Sequence, residues 1–230
     1  TAADESKYTP EAWTQYQTAL TAANDLLNAS PRLINDAAGT NQKTIDDAKA
    51  ALDAAIANLA NNAYCDYTAL NNAIAAAATT DTTGKTQSSI DALNAAVTAG
   101  NAVTKNMTVA DLNGTAQSTI NTAAQAILDA INGLTNKADY TNYNTDLASA
   151  QAIIDAGNNG KYPDDVWNTF VAAIDTAKGL DKDLPSTSQT TVDNAVTSIT
   201  GAITALNNNA YCDYTALNNA IAAAATTDTT

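Results

Sequence analysis

Residues 45–59 read IDDAKAALDAAIANL, residues 120–134 read INTAAQAILDAINGL and residues 192–206 read VDNAVTSITGAITAL. Ile45, Ala48, Leu52, Ile56 and Leu59 recur as Ile120, Ala123, Ile127, Ile131 and Leu134, and again as Val192, Ala195, Ile199, Ile203 and Leu206, without a gap. Steps of three and four residues place each set on one face of an α-helix, whereas a half-buried strand would alternate with period two. No useful period-two run occurs, so the chain is predicted to be all-α. A helix with one apolar seam cannot bury that seam alone, and partners for it must lie nearby.

Two further helix types flank these C helices. An A helix begins at each Asp-Tyr pair (Asp66-Tyr67, Asp139-Tyr140 and Asp213-Tyr214) and carries Tyr67, Leu70, Ile74, Ala77 in one copy and Tyr140, Tyr143, Leu147, Ala150 in the next. A B helix carries Trp13, Tyr16, Leu20, then Ile90, Leu93, Val97, then Trp167, Phe170, Ile174. The order is B-C-A three times over, about nine helices of roughly 15 to 20 residues. Start signals agree with it. Thr9-Pro10-Glu11 offers a capping hydroxyl, a proline for the first helical position and an acid for the first turn. Pro163-Asp164-Asp165 does the same before Trp167, while Thr115 and Ser186 or Thr187 stand where C helices open.

The 23-residue string NNAYCDYTALNNAIAAAATTDTT occupies both 61–83 and 208–230, displaced by 147, which marks an internal duplication. The Asp-Tyr pairs, separated by 73 and 74 residues, split that period in two. Tandem three-helix bundles stacked end to end into an elongated rod are the expected architecture, each touching only its neighbours. The boundaries read 1–62 (a partial repeat with B and C helices), 63–136, 137–208, and 209–230 as the first helix of a further repeat. The alternative phasing, B-C-A, reads 8–80, 86–156 and 162–225. Between C and A helices the Leu-to-Tyr spacing is 8, then 6, then 8 (Leu59–Tyr67, Leu134–Tyr140, Leu206–Tyr214). Two residues rotate a helix face by about 200°, so a short turn with Asp as cap is expected there rather than a continuous helix.

Composition closes several function classes. Ala, Thr and Asn supply 52, 35 and 27 of the 230 residues, and the net charge is −14 with no His and a single Arg, Arg32. Such a chain lacks the usual neutral-pH acid–base group, and its charge argues against nucleic acid or an anionic membrane as partner. No apolar run is long enough to span a bilayer, so no membrane insertion is expected. The chain opens at Thr1 with no initiator Met and no leader-like segment, and is expected to be a segment of something longer.

Few constellations could carry chemistry. Tyr8/Trp13 and Tyr162/Trp167 admit two readings, packing at the start of a B helix or a sugar-stacking platform. Cys65 and Cys212 hold the same repeat position, where the middle copy has Ala138. They read as small buried filler or as thiols for an interchain disulfide between neighbouring rods, two repeats apart being too far for an intrachain bond. Asp46-Asp47 and Asp164-Asp165 read as acids in opening helix turns rather than as a calcium or carboxylate site. No catalytic, metal or cofactor residues are expected, and a monomeric rod is.

At Tyr8-Thr9-Pro10-Glu11-Ala12-Trp13, followed by Ala19-Leu20 and Ala22-Ala23, the chain resembles a FIVAR domain ("found in various architectures"). The family pattern joins an Asp-Tyr-x-x-Leu helix, a Tyr-Thr-x-x-x-Trp helix and an Ala-rich third helix. Residues 139–174 and 188–206 follow it closely. The second B helix departs, with Lys85 for Tyr8 and Ile90 for Trp13. The resemblance implies a setting in large secreted or wall-attached proteins of Gram-positive bacteria, as a spacer or accessory module. The expected function is a non-catalytic helical stalk of a cell-surface adhesin, extracellular in location. The alternatives are a module binding glycan or extracellular-matrix protein, and an accessory domain of an enzyme acting on polysaccharides.

Overall fold

The structure, a computed structural model, describes residues 2–227, with side chains over 4–225. Nine long helices occur among them. They are α1 (Pro10–Leu27), α2 (Thr40–Asn61), α3 (Thr68–Thr79), α4 (Gln87–Asn101), α5 (Ala116–Asn132), α6 (Thr141–Asp155), α7 (Asp164–Lys178), α8 (Gln189–Asn208) and α9 (Thr215–Thr227). In the order of the repeat, α1, α4 and α7 are B helices, α2, α5 and α8 are C helices, and α3, α6 and α9 are A helices. Extended pairing among the described residues is limited to isolated bridges: Tyr8 with Ala63, Tyr64 with Thr108, Lys85 with Asn136 and Lys137 with Pro185.

The chain forms two compact units, residues 1–82 with 89–134 and residues 83–88 with 135–230. In the first, α3, α4 and α5 close on one core of Leu70, Ala73, Leu93, Ile120, Ala124 and Ile127. Helix α4 approaches the other two at Gly100, where an added Cβ would stand 2.8 Å from Ile127 Cδ1 and 3.3 Å from Leu70 Cδ1. The same unit holds α1 packed on α2. In the second unit α6, α7 and α8 surround Tyr143, Ala150, Phe170, Ile174, Val192, Ile199 and Leu206. Tyr143 is fully buried, and its hydroxyl donates to the Ala177 carbonyl at 2.7 Å, which satisfies the one polar atom that side chain brings inside.

Each closed core therefore draws on an A helix and the B and C helices that follow it. The C seam behaves accordingly. Ile120 and Val192 are fully buried, whereas Ile45 at the matching place in α2 is 44% exposed; Ile131 and Ile203 are half-buried, whereas Ile56 at their place is 49% exposed. Period and spacing identify the apolar face; whether it is covered depends on a third helix, and among the described residues none lies over α1 and α2.

Helix starts differ in detail from expectation. Pro10 does open α1, but Thr9 adopts an extended conformation with no side-chain cap bond. Pro163 precedes α7 instead of opening it. Thr115 Oγ1 donates back to Leu112 O, and Ser186–Ser188 form a 3-10 turn ahead of α8. Asp46 and Asp47 lie beyond the first turn of α2, with Asp47 paired to Lys43 at 2.7 Å. Between C and A helices the chain breaks: α2 ends at Asn61 and α3 begins at Thr68, α5 ends at Asn132 and α6 begins at Thr141, and α8 ends at Asn208 and α9 begins at Thr215.

Candidate functional site

The densest polar construction lies at these C-to-A breaks. The Tyr64 N–H donates to Lys7 O at 2.8 Å, Lys137 N–H to Gly84 O at 2.8 Å and Tyr211 N–H to Lys161 O at 2.9 Å. In each case the acceptor lies three residues ahead of the first residue of a B helix. The opposite edge of the first two breaks is taken by a B-to-C loop: Cys65 N–H donates to Met107 O and Val109 N–H to Ala63 O, both at 2.8 Å. Correspondingly, Ala138 N–H donates to Leu184 O at 2.9 Å and Ser186 N–H to Asn136 O at 2.7 Å. Short extended segments thus find the backbone partners that a helix end leaves wanting.

The Asp-Tyr pair builds this joint. Asp66, Asp139 and Asp213 accept from the backbone N–H of Thr68, Thr141 and Thr215 at 2.7, 2.8 and 2.8 Å. The hydroxyl and the backbone N–H of that same threonine hold each carboxyl below the usual carboxylate range. The tyrosine latches the loop between B and C helices. Tyr67 donates to Thr104 O at 2.6 Å and accepts from Met107 N–H at 3.2 Å; Tyr140 donates to Asp181 O at 2.7 Å and accepts from Leu184 N–H at 3.1 Å. Sequence periodicity reads these tyrosines only as part of an apolar stripe.

Three further side chains lie outside the apolar stripes. Gln117 accepts from Asp66 N–H at 2.7 Å and donates to Asp66 O at 2.9 Å; Gln189 does the same to Asp139 at 2.7 and 3.0 Å. Asp183 accepts from Gln87 N–H at 2.6 Å and Ser88 N–H at 3.0 Å and pairs with Lys137 at 3.2 Å. Those two backbone donors, with Lys137 behind them, lower its pKa to about 2.

The aromatic candidates form matching ladders. Tyr8 stacks on Trp13 with ring centres 6.0 Å apart, and Trp13 meets Tyr16 at 5.6 Å; Tyr162 stacks on Trp167 at 5.9 Å, and Trp167 meets Phe170 at 5.9 Å. All of Tyr8, Trp13, Tyr162 and Trp167 are half-buried. Tyr162 and Trp167 also rest on the second core. Lys85, where the other B helices have a tyrosine, instead donates to Asn136 Oδ1 at 2.7 Å.

Cys65 and Cys212 are free thiols in different surroundings, the first buried and the second exposed. Burial, with Asp111 nearby, pushes the Cys65 thiol up, away from the reactive thiolate. No group of three or more His, Cys, Asp or Glu able to hold a metal occurs among the described residues. No helix among them is long and apolar enough to cross a membrane. An open groove of about 490 Å³ lies along α1 and α2, lined by Leu26, Leu27, Leu33, Ile45 and Leu52 together with the cations Arg32 and Lys49.

Two closed groups of three helices, with the same joint rebuilt at the first two breaks, define tandem three-helix modules. The family model of the FIVAR domain matches residues 1–60, 66–135 and 139–207, and the chain belongs to that family. FIVAR is a family of repeat modules and not a catalytic one. Searches of curated proteins and of solved structures returned no match.

Proposed function

We propose that this chain is a non-catalytic spacer in a bacterial surface protein, an adhesin-like stalk attached to a Gram-positive cell wall. Its modules are residues 63–136 and 137–208, with 1–62 a partial copy and 209–230 the opening helix of another. The single observation carrying the reading is the joint. The same backbone bond links each C-to-A break to the segment ahead of the preceding B helix three times, as expected of a repeat built on one plan from copy to copy. FIVAR domains are found in surface proteins, and a surface of net charge −14 keeps repeated copies from clumping. Small-angle scattering tests the spacer reading. A compact domain of this length has a radius of gyration on the order of 17 Å; a stalk requires a value well above that, and a value near it removes the reading.

The half-buried aromatic ladders favour a second reading, glycan or matrix binding through Tyr8/Trp13 and Tyr162/Trp167. A glycan array with the wild type and Trp167→Ala separates the two. Binding that disappears in a variant of unchanged melting temperature supports the platform; an array without signal supports the spacer.

A further inference from the structure

Of the three B helices, α4 has the barest start. Helix α1 opens with Pro10 and has Glu11 in its first turn, and α7 has Asp164 and Asp165 there. The first turn of α4 holds no acid. Lys85 stands two residues ahead of it, a cation at the end of a helix that favours anions. Lys85-Thr86-Gln87-Ser88 takes the place of Tyr8-Thr9-Pro10-Glu11, since Thr86 N–H donates to Thr135 O at 2.8 Å as Thr9 N–H does to Asn62 O at 3.1 Å. What α4 lacks comes from far along the chain. Asp183 Oδ1 accepts from Gln87 N–H at 2.6 Å and Oδ2 from Ser88 N–H at 3.0 Å. Each oxygen thus satisfies one of the N–H groups that a helix start leaves without an intrahelical partner. The Asp183 side chain is only 27% exposed, and Lys137 pairs with it at 3.2 Å.

The earlier joint shows the converse pairing. Met107 and Leu184 accept equivalent bonds, from Cys65 N–H and Ala138 N–H, which puts Asn106 in the place of Asp183. A neutral amide therefore accompanies the start that has its own Glu11, and a carboxylate the start that has no acid. Residues 83–88, the opening of α4 included, belong to the second compact unit, whereas residues 89–134 belong to the first. Further along the same helix, Leu93 is part of the first core and Val97 packs against it. We propose that Asp183 is a coupling residue: module 137–208 supplies the cap that α4 lacks, so that the order of α4, and with it closure of the preceding core, depends on the module that follows. The dependence runs one way, because the core of Tyr143, Ile174 and Ile199 draws on no residue of α4. Such coupling serves a spacer and a binding module alike.

Amide hydrogen exchange of the full chain, followed by mass spectrometry of overlapping peptides, tests this. Asp183→Ala is expected to raise exchange across residues 87–94 about tenfold, the effect of losing a helix cap together with its charge. Leu184 N–H, bonded to the Tyr140 hydroxyl at 3.1 Å, and Ala138 N–H, bonded to Leu184 O at 2.9 Å, keep their wild-type protection, as does α1. Gln87→Pro with Ser88→Glu gives α4 the opening found at residues 10 and 11. In that background Asp183→Ala no longer raises exchange in α4. Unaltered exchange in α4 on Asp183→Ala in the otherwise wild-type chain overturns the proposal. So does an equal rise at Ala138 and Leu184, which would report an opened loop instead of a lost cap. An effect of Asp183→Ala that persists in full when α4 has its own proline and acid overturns it as well.

Discussion

Leu70 and Leu217 are the same residue in the same 23-residue sequence, so truncating each to alanine isolates what the surrounding bundle contributes. Leu70 is fully buried among Leu93, Ile120 and Ile127, and α4 comes so close at Gly100 that an added Cβ there would stand 3.3 Å from Leu70 Cδ1. Removing a buried leucine side chain costs about 2–5 kcal/mol through lost transfer free energy and the cavity left behind. With three helices fixed around the site, about 3 kcal/mol is expected for Leu70→Ala, a fall of about 12–24 °C in the melting temperature of that bundle. Leu217, 54% exposed, makes the same change a surface substitution, within about 0.5 kcal/mol. Local helix propensity acts equally on both and cancels in the comparison. Thermal and urea unfolding by circular dichroism reads the difference. Equal effects of the two substitutions would refute the claim that bundle closure, and not the sequence of the A helix, determines stability.

Three further outcomes follow from the same contacts. Tyr143→Phe keeps the ring and removes the donor to Ala177 O, at about 1 kcal/mol in unfolding experiments on the second unit. Gly100→Val drives a branched side chain into Ile127 and Leu70 and costs about 2–3 kcal/mol, whereas Gly201→Ala, which meets nothing within 4 Å inside α8, stabilises by about 0.5–1 kcal/mol. Asp183, held at about 2 from an ordinary 3.8, contributes stability that is present above pH 4 and lost as pH falls from about 4 to about 2. The difference in melting temperature between wild type and Asp183→Ala therefore narrows across that window and is flat from pH 5 to 7; a difference that grows with acidity contradicts the assignment.

Much of the fold is legible in the chain because its alphabet is so plain. Against a background of Ala, Thr and Asn, a branched residue at every third or fourth position stands out, and Ile120, Ile127, Val192 and Ile199 are buried where their spacing places them. The irregular Leu-to-Tyr spacing also reports the breaks between C and A helices, since no rigid helix tolerates it. Periodicity fails at Ile45 and Ile56, where a face exists but a third helix does not cover it. It also says nothing of Gln117, Gln189 or Asp183, whose partners lie 51, 50 and 96 residues away. Each is a single polar side chain among many similar ones, and only the closed fold brings it to a backbone edge. Capping threonines misled for a related reason: Thr9 and Thr115 have the right chemistry at the right place, but the neighbouring segments take up the helix starts differently.

The central claim is that a module consists of an A helix and the B and C helices that follow it. Excising residues 137–208 and, separately, residues 8–80, of similar length but opposite phase, tests it most directly by thermal unfolding at far-ultraviolet wavelengths. The expected result is a cooperative transition for 137–208 and low helix content without a sharp transition for 8–80. A cooperative, helical 8–80 beside an unfolded 137–208 would contradict the account.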